Sequence, residues 1–564
     1  MIHLIIINIM KYNNISNLYQ LFSYQKDKNP NKKLIYQKLN NKWKGYSFKE
    51  IFLKVVLLQG FFKQKKINKG DRIFLLSSSC VDWVIIDLAV QSIGALTVPA
   101  FTTNNKSDNE FIINDCKPKL YFVENYELFE KNRSVFKDRI SKLIFINNLN
   151  QYFSLEQIYN KTPLKFDLPQ VRRQDLSCII YTSGTYNKPK GVMLPHAAIL
   201  HNCEAAFESL KDLRFKNEVF LSFLPLSHSY ERMAGVYFPI SIGAKVFFVK
   251  KMENINLDFK NVRPSIVNGV PRFYENLYKK IFNSIKNSNK KLSKILNKIT
   301  GSESYKCSLS EWLFLNFFLI FIRFKIKKNF GGNLKIFISG GAALSPSISR
   351  FFLKLGIPIL QGYGQTEAGP LISCNTLKNN NPLSVGCPVK HVNVKINREN
   401  EILVSGPNLM KGYWNNDSLT KMTLVRNWLH TGDLGKLDEF GRLIITGRKK
   451  ELIVTSGGDN ISPQKIENLF STFSEIRNCV IFGDSKPYLI AIFFVESNIN
   501  KVDVSLIVKK VNKKLNSIER VRKYIITNKE LTVENGLMTS TFKVKKEQVF
   551  KIFGMEISKL YLNS

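Results

Sequence analysis

Between Tyr181 and Gly191 the chain reads Tyr181-Thr182-Ser183-Gly184-Thr185-Tyr186-Asn187-Lys188-Pro189-Lys190-Gly191. Hydroxyls, a glycine and two lysines in one turn can offer an anion backbone N–H groups, hydroxyl donors and fixed positive charge together. A polyphosphate is the natural ligand of such a turn. The pattern GxxxxGK[ST] is absent, so the cradle is not a Walker loop. Three later segments carry further reactive groups. Ser339-Gly340-Gly341-Ala342-Ala343-Leu344 puts glycines where backbone could lie against a flat ring. Gln361-Gly362-Tyr363-Gly364-Gln365-Thr366-Glu367 gathers an aromatic, a hydroxyl and a carboxylate in what reads as one loop. Trp428-Leu429-His430-Thr431-Gly432-Asp433-Leu434-Gly435 ends with a turn carrying one carboxylate.

The elements around these groups are legible from apolar periodicity. Residues 176–181 form a short apolar run predicted as a buried strand, and residues 195–210 show helical spacing, so the turn joins strand to helix. Between 71 and 147, strands at 72–76, 96–98, 120–123 and 143–146 alternate with helices at 81–92 and 109–115. That alternation predicts a largely parallel sheet. Further strands are expected at 219–223, 244–249, 266–270 and 335–338, and residues 279–328 read as an insertion over the surface. Gly and Pro punctuate residues 384–443, which predicts a small β-rich subdomain. The composition turns charged at Gly447-Arg448-Lys449-Lys450-Glu451, and an α+β pattern then begins: helix 463–472, strands 478–481 and 488–494, helix 501–516. The expected fold is therefore α/β: a large N-terminal domain of α/β sheets with a β-rich subdomain over 1–449, then a smaller mobile α+β domain over 450–564.

A chain of 564 residues is too long for one core. Its 44% hydrophobic and 23% charged content belongs to ordinary globular proteins. The formal charge of +39 points toward nucleic acid or anionic membrane. No single helix or tail concentrates it, however, so it reads as compositional drift, and no nucleic-acid partner is expected. Cys80, Cys116, Cys178, Cys203, Cys307, Cys374, Cys387 and Cys479 form no CxxC pair, which favours a reducing, cytoplasmic setting over a zinc site or disulfide framework. No HExxH occurs. Residues 1–10 have a short apolar run without a basic region or cleavage site, a poor signal peptide, and Met10 is an alternative start. The apolar block 312–324, interrupted by Asn316 and Arg323 and followed by Lys325, Lys327 and Lys328, is shorter than the roughly 20 residues of a spanning helix. A buried helix is the first expectation; an interfacial helix with a basic flank is the alternative.

In sequence order these segments resemble the acyl-adenylate-forming superfamily, and within it the AMP-forming long-chain acyl-CoA synthetases. The likeness runs through Ile93-Gly94-Ala95, Leu224-Pro225-Leu226-Ser227-His228-Ser229-Tyr230-Glu231-Arg232, Val270-Pro271-Arg272-Phe273-Tyr274-Glu275 and Met410-Lys411-Gly412-Tyr413-Trp414. It continues through Ser456-Gly457-Gly458-Asp459-Asn460-Ile461-Ser462-Pro463 and Leu537-Met538-Thr539-Ser540-Thr541-Phe542-Lys543.

The resemblance implies roles. Thr182, Ser183, Gly184, Thr185 and Lys190 would hold the β- and γ-phosphates of ATP. Tyr363, next to Gly362, would stack on adenine with Gly341 and Ala342 in support. Thr366 would bond the α-phosphate; Glu367, with Thr182, would ligate Mg2+. Asp433 would accept the ribose hydroxyls, and Arg448 would lie at the ribose–phosphate side. Lys543 would be the adenylation lysine, His228 would line the carboxylate, and Lys450 would be the hinge. The regions of Arg232 and 270–274 would shape an acyl tunnel. Singly, each residue has an ordinary structural role: Asp433 suits a turn and Lys543 a solvated lysine face. Only their co-occurrence carries the implication.

The chain departs from the family pattern at Tyr186-Asn187 in place of Thr-Gly, and at Glu451, Asp459 and Ser540. The implied function is activation of a long-chain fatty acid by ATP to acyl-AMP and pyrophosphate, followed by acyl transfer to CoA. The alternatives are transfer to a carrier-protein phosphopantetheine, or an ATP- and lipid-binding protein without turnover. Peripheral contact with the inner membrane face belongs to the same expectation, since a long apolar substrate partitions into bilayers.

Overall fold

The computed structural model describes residues 14–149, 151–164, 166–182, 189–250, 252–301, 308–496, 499, 501–539 and 542–562. The start at Met1 or Met10, the Tyr186-Asn187 and Ser540 departures, Cys307, and Ser183, Gly184 and Thr185 lie outside them.

A strand with no polar face must be covered on both sides, and Arg72–Leu76 shows it. Ile73 and Leu75 belong to one core, Phe74 and Leu76 to another on the opposite face. This strand lies within a seven-stranded sheet, between Leu96–Ala100 and Leu120–Val123 and parallel to both. A nine-stranded sheet runs from Cys387–Pro388 through Leu371–Cys374, Ile359–Gly364, Ile336–Ser339, Ile266–Gly269, Val219–Ser222 and Lys245–Phe248 to an N-terminal hairpin, Lys33–Leu39 with Lys42–Ser47. That hairpin has no counterpart in the sequence reading. The larger core is shared by strands of both sheets and by the helix Val81–Ser92, buried almost all round.

That helix carries Asp87 into the core, where an unpaired charge would be prohibitive. Arg232 matches it: Nε donates to Oδ2 at 3.0 Å and Nη2 to Oδ1 at 2.9 Å, and the Tyr237 hydroxyl donates to Oδ2. Arg232 is 1% exposed. It therefore braces the core and does not line an acyl tunnel. Removing either partner would cost about 3–5 kcal/mol.

The β-rich subdomain is an antiparallel sheet of Asn393–Ile396, Glu401–Ser405, Trp428–Leu437 and Leu424–Val425, with Leu443–Arg448 also pairing Trp428–Leu437. Beyond it, Leu489–Val495 is buried along its whole length at the centre of a three-stranded sheet. Its alternate residues feed two cores: Leu489, Ala491 and Phe493 face Ile466, Phe470 and Val504, whereas Ile490, Ile492 and Phe494 face Leu537, Val549 and Phe553. Among the described residues, none before Ile453 joins either core.

Residues 271–329 fold into three helices, Pro271–Ser288, Lys290–Gly301 and Leu309–Asn329. The expectation of a buried helix at 312–324 is not met. Leu315 and Leu319 are buried, but Phe317, Ile320 and Phe321 on the other side are open. The segment is apolar all round, yet only one side has a core to meet.

Candidate active site

Val219–Ser222, Ile266–Gly269, Ile336–Ser339 and Ile359–Gly364 run parallel, so the segments that follow them emerge at one end of the sheet. Ligands of open α/β sheets bind there. The first strand leads to His228, the second to Val270, the third to Gly341 and Ala342. Gly362 and Tyr363 lie within the fourth strand itself rather than in a loop, and Thr366 and Glu367 follow in a short helical turn. Gly341 has φ +85°, with open space around the position a Cβ would take apart from Val270 at 3.7 Å. Conformation, not crowding, reserves that place for glycine.

The expected strand–turn–helix at 176–210 contains an additional strand. Leu176–Thr182 pairs antiparallel with Lys190–Pro195 before the helix His196–Leu210 begins. Val192 and Leu194, two apart, are buried, a period that suits a strand. Thr182 stands opposite Lys190 in the register. Lys190 reaches across the cleft: its Nζ is 2.5 Å from Glu367 Oε1 and 2.7 Å from the Tyr413 hydroxyl, which donates to the same Oε1 at 2.9 Å. Burial of Glu367 would raise its pKa, but the Lys190 charge and these hydrogen bonds prevail and hold it below the usual carboxylate range. The Thr182 hydroxyl is buried with no hydrogen-bond partner among the described residues. A carboxylate and a spare hydroxyl are a fitting donor set for Mg2+, which takes its other ligands from phosphates and water.

Asp433 lies in the strand Trp428–Leu437, not in a turn. Its neighbour strand pairs Glu401 with Leu434 but Leu403 with His430, so the longer strand carries extra residues there. Gly432, at φ +69°, occupies this irregularity, and Glu401 Oε1 accepts its N–H at 3.0 Å. Such a bulge re-aims the next side chain. Tyr363 donates its hydroxyl to Asp433 Oδ2 at 2.7 Å, and Arg448 donates Nε to Oδ1 at 2.6 Å. Burial and the adjacent carboxylate push the Tyr363 phenol well up, keeping it protonated as a donor.

His228 starts the helical segment through Tyr230, whose N–H points at His228 Nδ1 at 3.2 Å. That contact assigns the ring proton to Nε2. Burial, and then the Lys543 charge, hold the imidazole pKa down to about 4, so it is neutral. Ser229 and Thr366 share a hydroxyl–hydroxyl hydrogen bond of 2.9 Å.

Lys543 enters from the C-terminal lobe on a tight turn. The Thr539 N–H donates to the Lys543 carbonyl at 2.8 Å, and Phe542 is left-handed at φ +60°. The side chain is exposed, although protein crowded around it still desolvates the ammonium. This desolvation and the Arg448 charge lower its pKa, opposed by Glu451 and Asp433. Lys543 therefore stands within electrostatic reach of His228, Asp433 and Arg448. The lobe is tied in this position by Arg272 Nη1, which donates to the Arg477 carbonyl at 2.5 Å, and by Lys279 Nζ, which donates to that of Ile476 at 2.6 Å.

Thus Lys190, Glu367 and Tyr413 form one hydrogen-bonded cluster, with Thr182 opposite Lys190 in the register. Tyr363, Asp433 and Arg448 form another, Ser229 bonds Thr366, and Lys543 acts electrostatically on His228 and Asp433. Tyr413 and Lys279 had no assigned role in the sequence reading, and Arg272, expected within an acyl-tunnel region, instead ties to the C-terminal lobe. Tyr413 and Arg272 stood in quoted motifs, but their contacts span 223 and 205 residues and have no local signal.

A family model described as AMP-binding enzyme matches residues 22–414, and one described as AMP-binding enzyme C-terminal domain matches residues 450–564. The chain is 28% identical over 538 residues to the long-chain-fatty-acid–CoA ligase FadD15 of Mycobacterium tuberculosis, covering 88% of each protein. It is 27% identical over 587 residues to the long-chain-fatty-acid–CoA ligase 5 of Mus musculus, covering 93% of this chain and 85% of that one. The adenylation domain of a carboxylate reductase from Mycobacterium chelonae superposes with a TM-score of 0.80 at 19% identity, over 97% of this chain and 91% of the other, a likeness of fold.

Proposed function

The chain belongs to the AMP-binding enzyme family, and from that premise we propose an AMP-forming long-chain fatty acid–CoA ligase, with an N-terminal domain over 1–449 and a mobile C-terminal domain over 450–564. A fatty-acid carboxylate attacks the α-phosphorus of ATP; the new P–O bond gives acyl-AMP and the bond to pyrophosphate breaks. The CoA sulfur then attacks the acyl carbon and AMP leaves. A carboxylate and a thiol do not condense unaided in water, and the mixed anhydride supplies the driving force. The relatives' names, both CoA ligases, support this acceptor over a carrier protein.

The observation that carries the reading is Lys543, brought from the C-terminal lobe to within electrostatic reach of His228 and Asp433. Its ammonium offsets the charge that builds as two anions approach. Neutral His228 presents Nε2–H to the incoming carboxylate. Asp433 keeps spare lone pairs on both oxygens after binding Tyr363 and Arg448, enough to accept two ribose hydroxyls. Gly341, Ala342 and Gly362 border the adenine face of Tyr363. Thr366 meets the α-phosphate, and Lys190 transfers from Glu367 to the β- and γ-phosphates, which Ser183, Gly184 and Thr185 help to hold. Glu367 and Thr182 would hold Mg2+, which would supply charge neutralisation at the phosphates. Thioesterification needs different neighbours, so the C-terminal domain turns about Lys450 and withdraws Lys543.

Among the described residues no helix is long and apolar enough to cross a membrane. The reading places the enzyme in the cytoplasm, working against the inner membrane face, because its substrate partitions there and its +39 charge attracts anionic lipid.

The test is pyrophosphate release from oleate and Mg·ATP, with mass spectrometry of the product when CoA is added. Oleate-dependent pyrophosphate and oleoyl-CoA are expected. Absence of pyrophosphate would leave only a binding protein.

A further inference from the structure

We propose that the helix Leu309–Asn329 docks the protein in the plane of an anionic lipid surface, a deepening that rests on the long-chain acid reading. The helix is well built. Ser308 and Glu311 form a capping box, and the Phe330 N–H closes the C-terminal turn onto the Ile326 and Lys327 carbonyls. Leu315, Leu319 and Ile326 are packed in the same core as Leu292 and Ile295 of the preceding helix Lys290–Gly301. The opposite side presents Leu309, Leu313, Phe317, Ile320, Phe321 and Phe324 at spacings of one face, with Phe317 59% and Phe324 72% exposed. The other large exposed apolar residues are scattered, apart from Phe550, Ile552, Met555 and Leu562 on the C-terminal helix Lys546–Leu562. A contiguous strip of this kind marks an interaction surface. Arg323 donates to the Lys354 carbonyl at 2.8 Å, which fastens the helix to Pro346–Lys354 and holds its open side outward.

The surrounding charge selects the occupant. Contrary to the even spread of charge expected from the sequence, residues 279–328 contain twelve Lys or Arg and two acidic residues. Lys325, Lys327 and Lys328 at the helix end are exposed, as are Lys290, Lys291 and Lys294 on the neighbouring helix. A second copy of the chain would bring the same positive rim against itself. An anionic bilayer neutralises the rim, while its hydrocarbon covers the phenylalanines and leucines and the lysine ammonium groups remain at headgroup depth. The apolar strip and the basic rim are the two signals that stable peripheral anchoring needs. Docking there holds a ligase against the phase in which its substrate is dissolved.

The experiment is flotation of the full-length protein with vesicles of phosphatidylcholine alone or of phosphatidylcholine and phosphatidylserine in equal parts. The wild type should float with the mixed vesicles only, and release as salt is raised. Leu313→Gln/Phe317→Gln/Phe321→Gln should lower partition at least about tenfold. Lys325→Glu/Lys327→Glu/Lys328→Glu, which leaves the apolar face intact, should lower it about a hundredfold; either variant, if folded by its melting curve, suffices. Pyrophosphate release with water-soluble octanoate, measured alongside, reports the ligase reading independently. Wild type that stays with the aqueous fraction, variants that float as well as wild type, or a wild-type dimer that the Gln variant turns into a monomer would each overturn the proposal.

Discussion

Lys190 Nζ and Glu367 Oε1, 177 residues apart in the chain, meet at 2.5 Å in the cleft. One carboxylate thus holds in advance the cation proposed to grip phosphate, and shares the bond with the Tyr413 hydroxyl. Glu367→Gln is expected to lower pyrophosphate release by about 10²-fold or more, with a weakened response to added Mg2+ in a titration. An unchanged Mg2+ response would remove Glu367 from the metal's ligands.

The same pair predicts acid sensitivity. Glu367 is depressed below its unfolded value, so its contribution is present above about pH 4.3 and is lost as pH falls through the lower folded value. Melting temperatures of wild type and Glu367→Gln should therefore converge on acidification from that point. A gap that is constant down to strongly acid pH would contradict the pairing.

Lys543 is expected to serve the first half-reaction alone. Lys543→Ala should reduce acyl-AMP formation by about 10²–10³-fold while sparing CoA transfer from preformed acyl-AMP, each followed separately. Because burial and Arg448 lower its pKa, the alkaline loss of adenylation should begin below the ordinary lysine value of about 10.4. Equal damage to both half-reactions argues against a lysine that withdraws.

Glu231 offers a stability test away from the reacting groups. It is 1% exposed, its Oε1 accepts from the Ser222 hydroxyl at 2.5 Å, and its Oε2 has no partner among the described residues. Burial raises its pKa to about 8. A carboxyl raised on folding favours the fold fully below its unfolded value of about 4.3, and that contribution is lost as pH rises through about 8. Glu231→Gln carries no such dependence, so its melting temperature should gain on wild type progressively across that window. A flat difference would mean the carboxyl is ionised in the fold.

Arg272 and Lys279 tie the C-terminal lobe to the helix Pro271–Ser288 through the carbonyls of Arg477 and Ile476. The proposed rotation about Lys450 would break both contacts. Arg272→Ala/Lys279→Ala should raise the rate of CoA transfer relative to adenylation by about thirtyfold, the equivalent of two net hydrogen bonds, in single-turnover measurements. A fall in both rates together would instead mark the tie as a support for the cleft.

Much of this protein is local, and local order can be read along the chain. The strands Arg72–Leu76 and Leu120–Val123 and the helix Val81–Ser92 occur at the expected limits, because apolar period and end signals fix them from within. The roles expected of Thr182, Tyr363, Glu367, Asp433 and Lys543 came from the family resemblance of their motifs taken together, since each residue alone reads as an ordinary structural one. The hairpin Lys33–Leu39 with Lys42–Ser47 was not legible. Its first strand lies against Lys245–Phe248, more than two hundred residues later.

Sequence by itself determined the class of elements, the family likeness and which side chains are equipped to react. Tertiary structure alone decided that Arg232 is a core counter-charge, that Asp433 projects from a bulged strand, and that Lys190 rests on Glu367. It also decided which side of Leu309–Asn329 remains open. The physical reason is common to all four: each depends on a partner, or on the want of one, set by chain segments far away. Hydrophobic period states how much of a residue wants cover, and only the assembled layers settle what provides it.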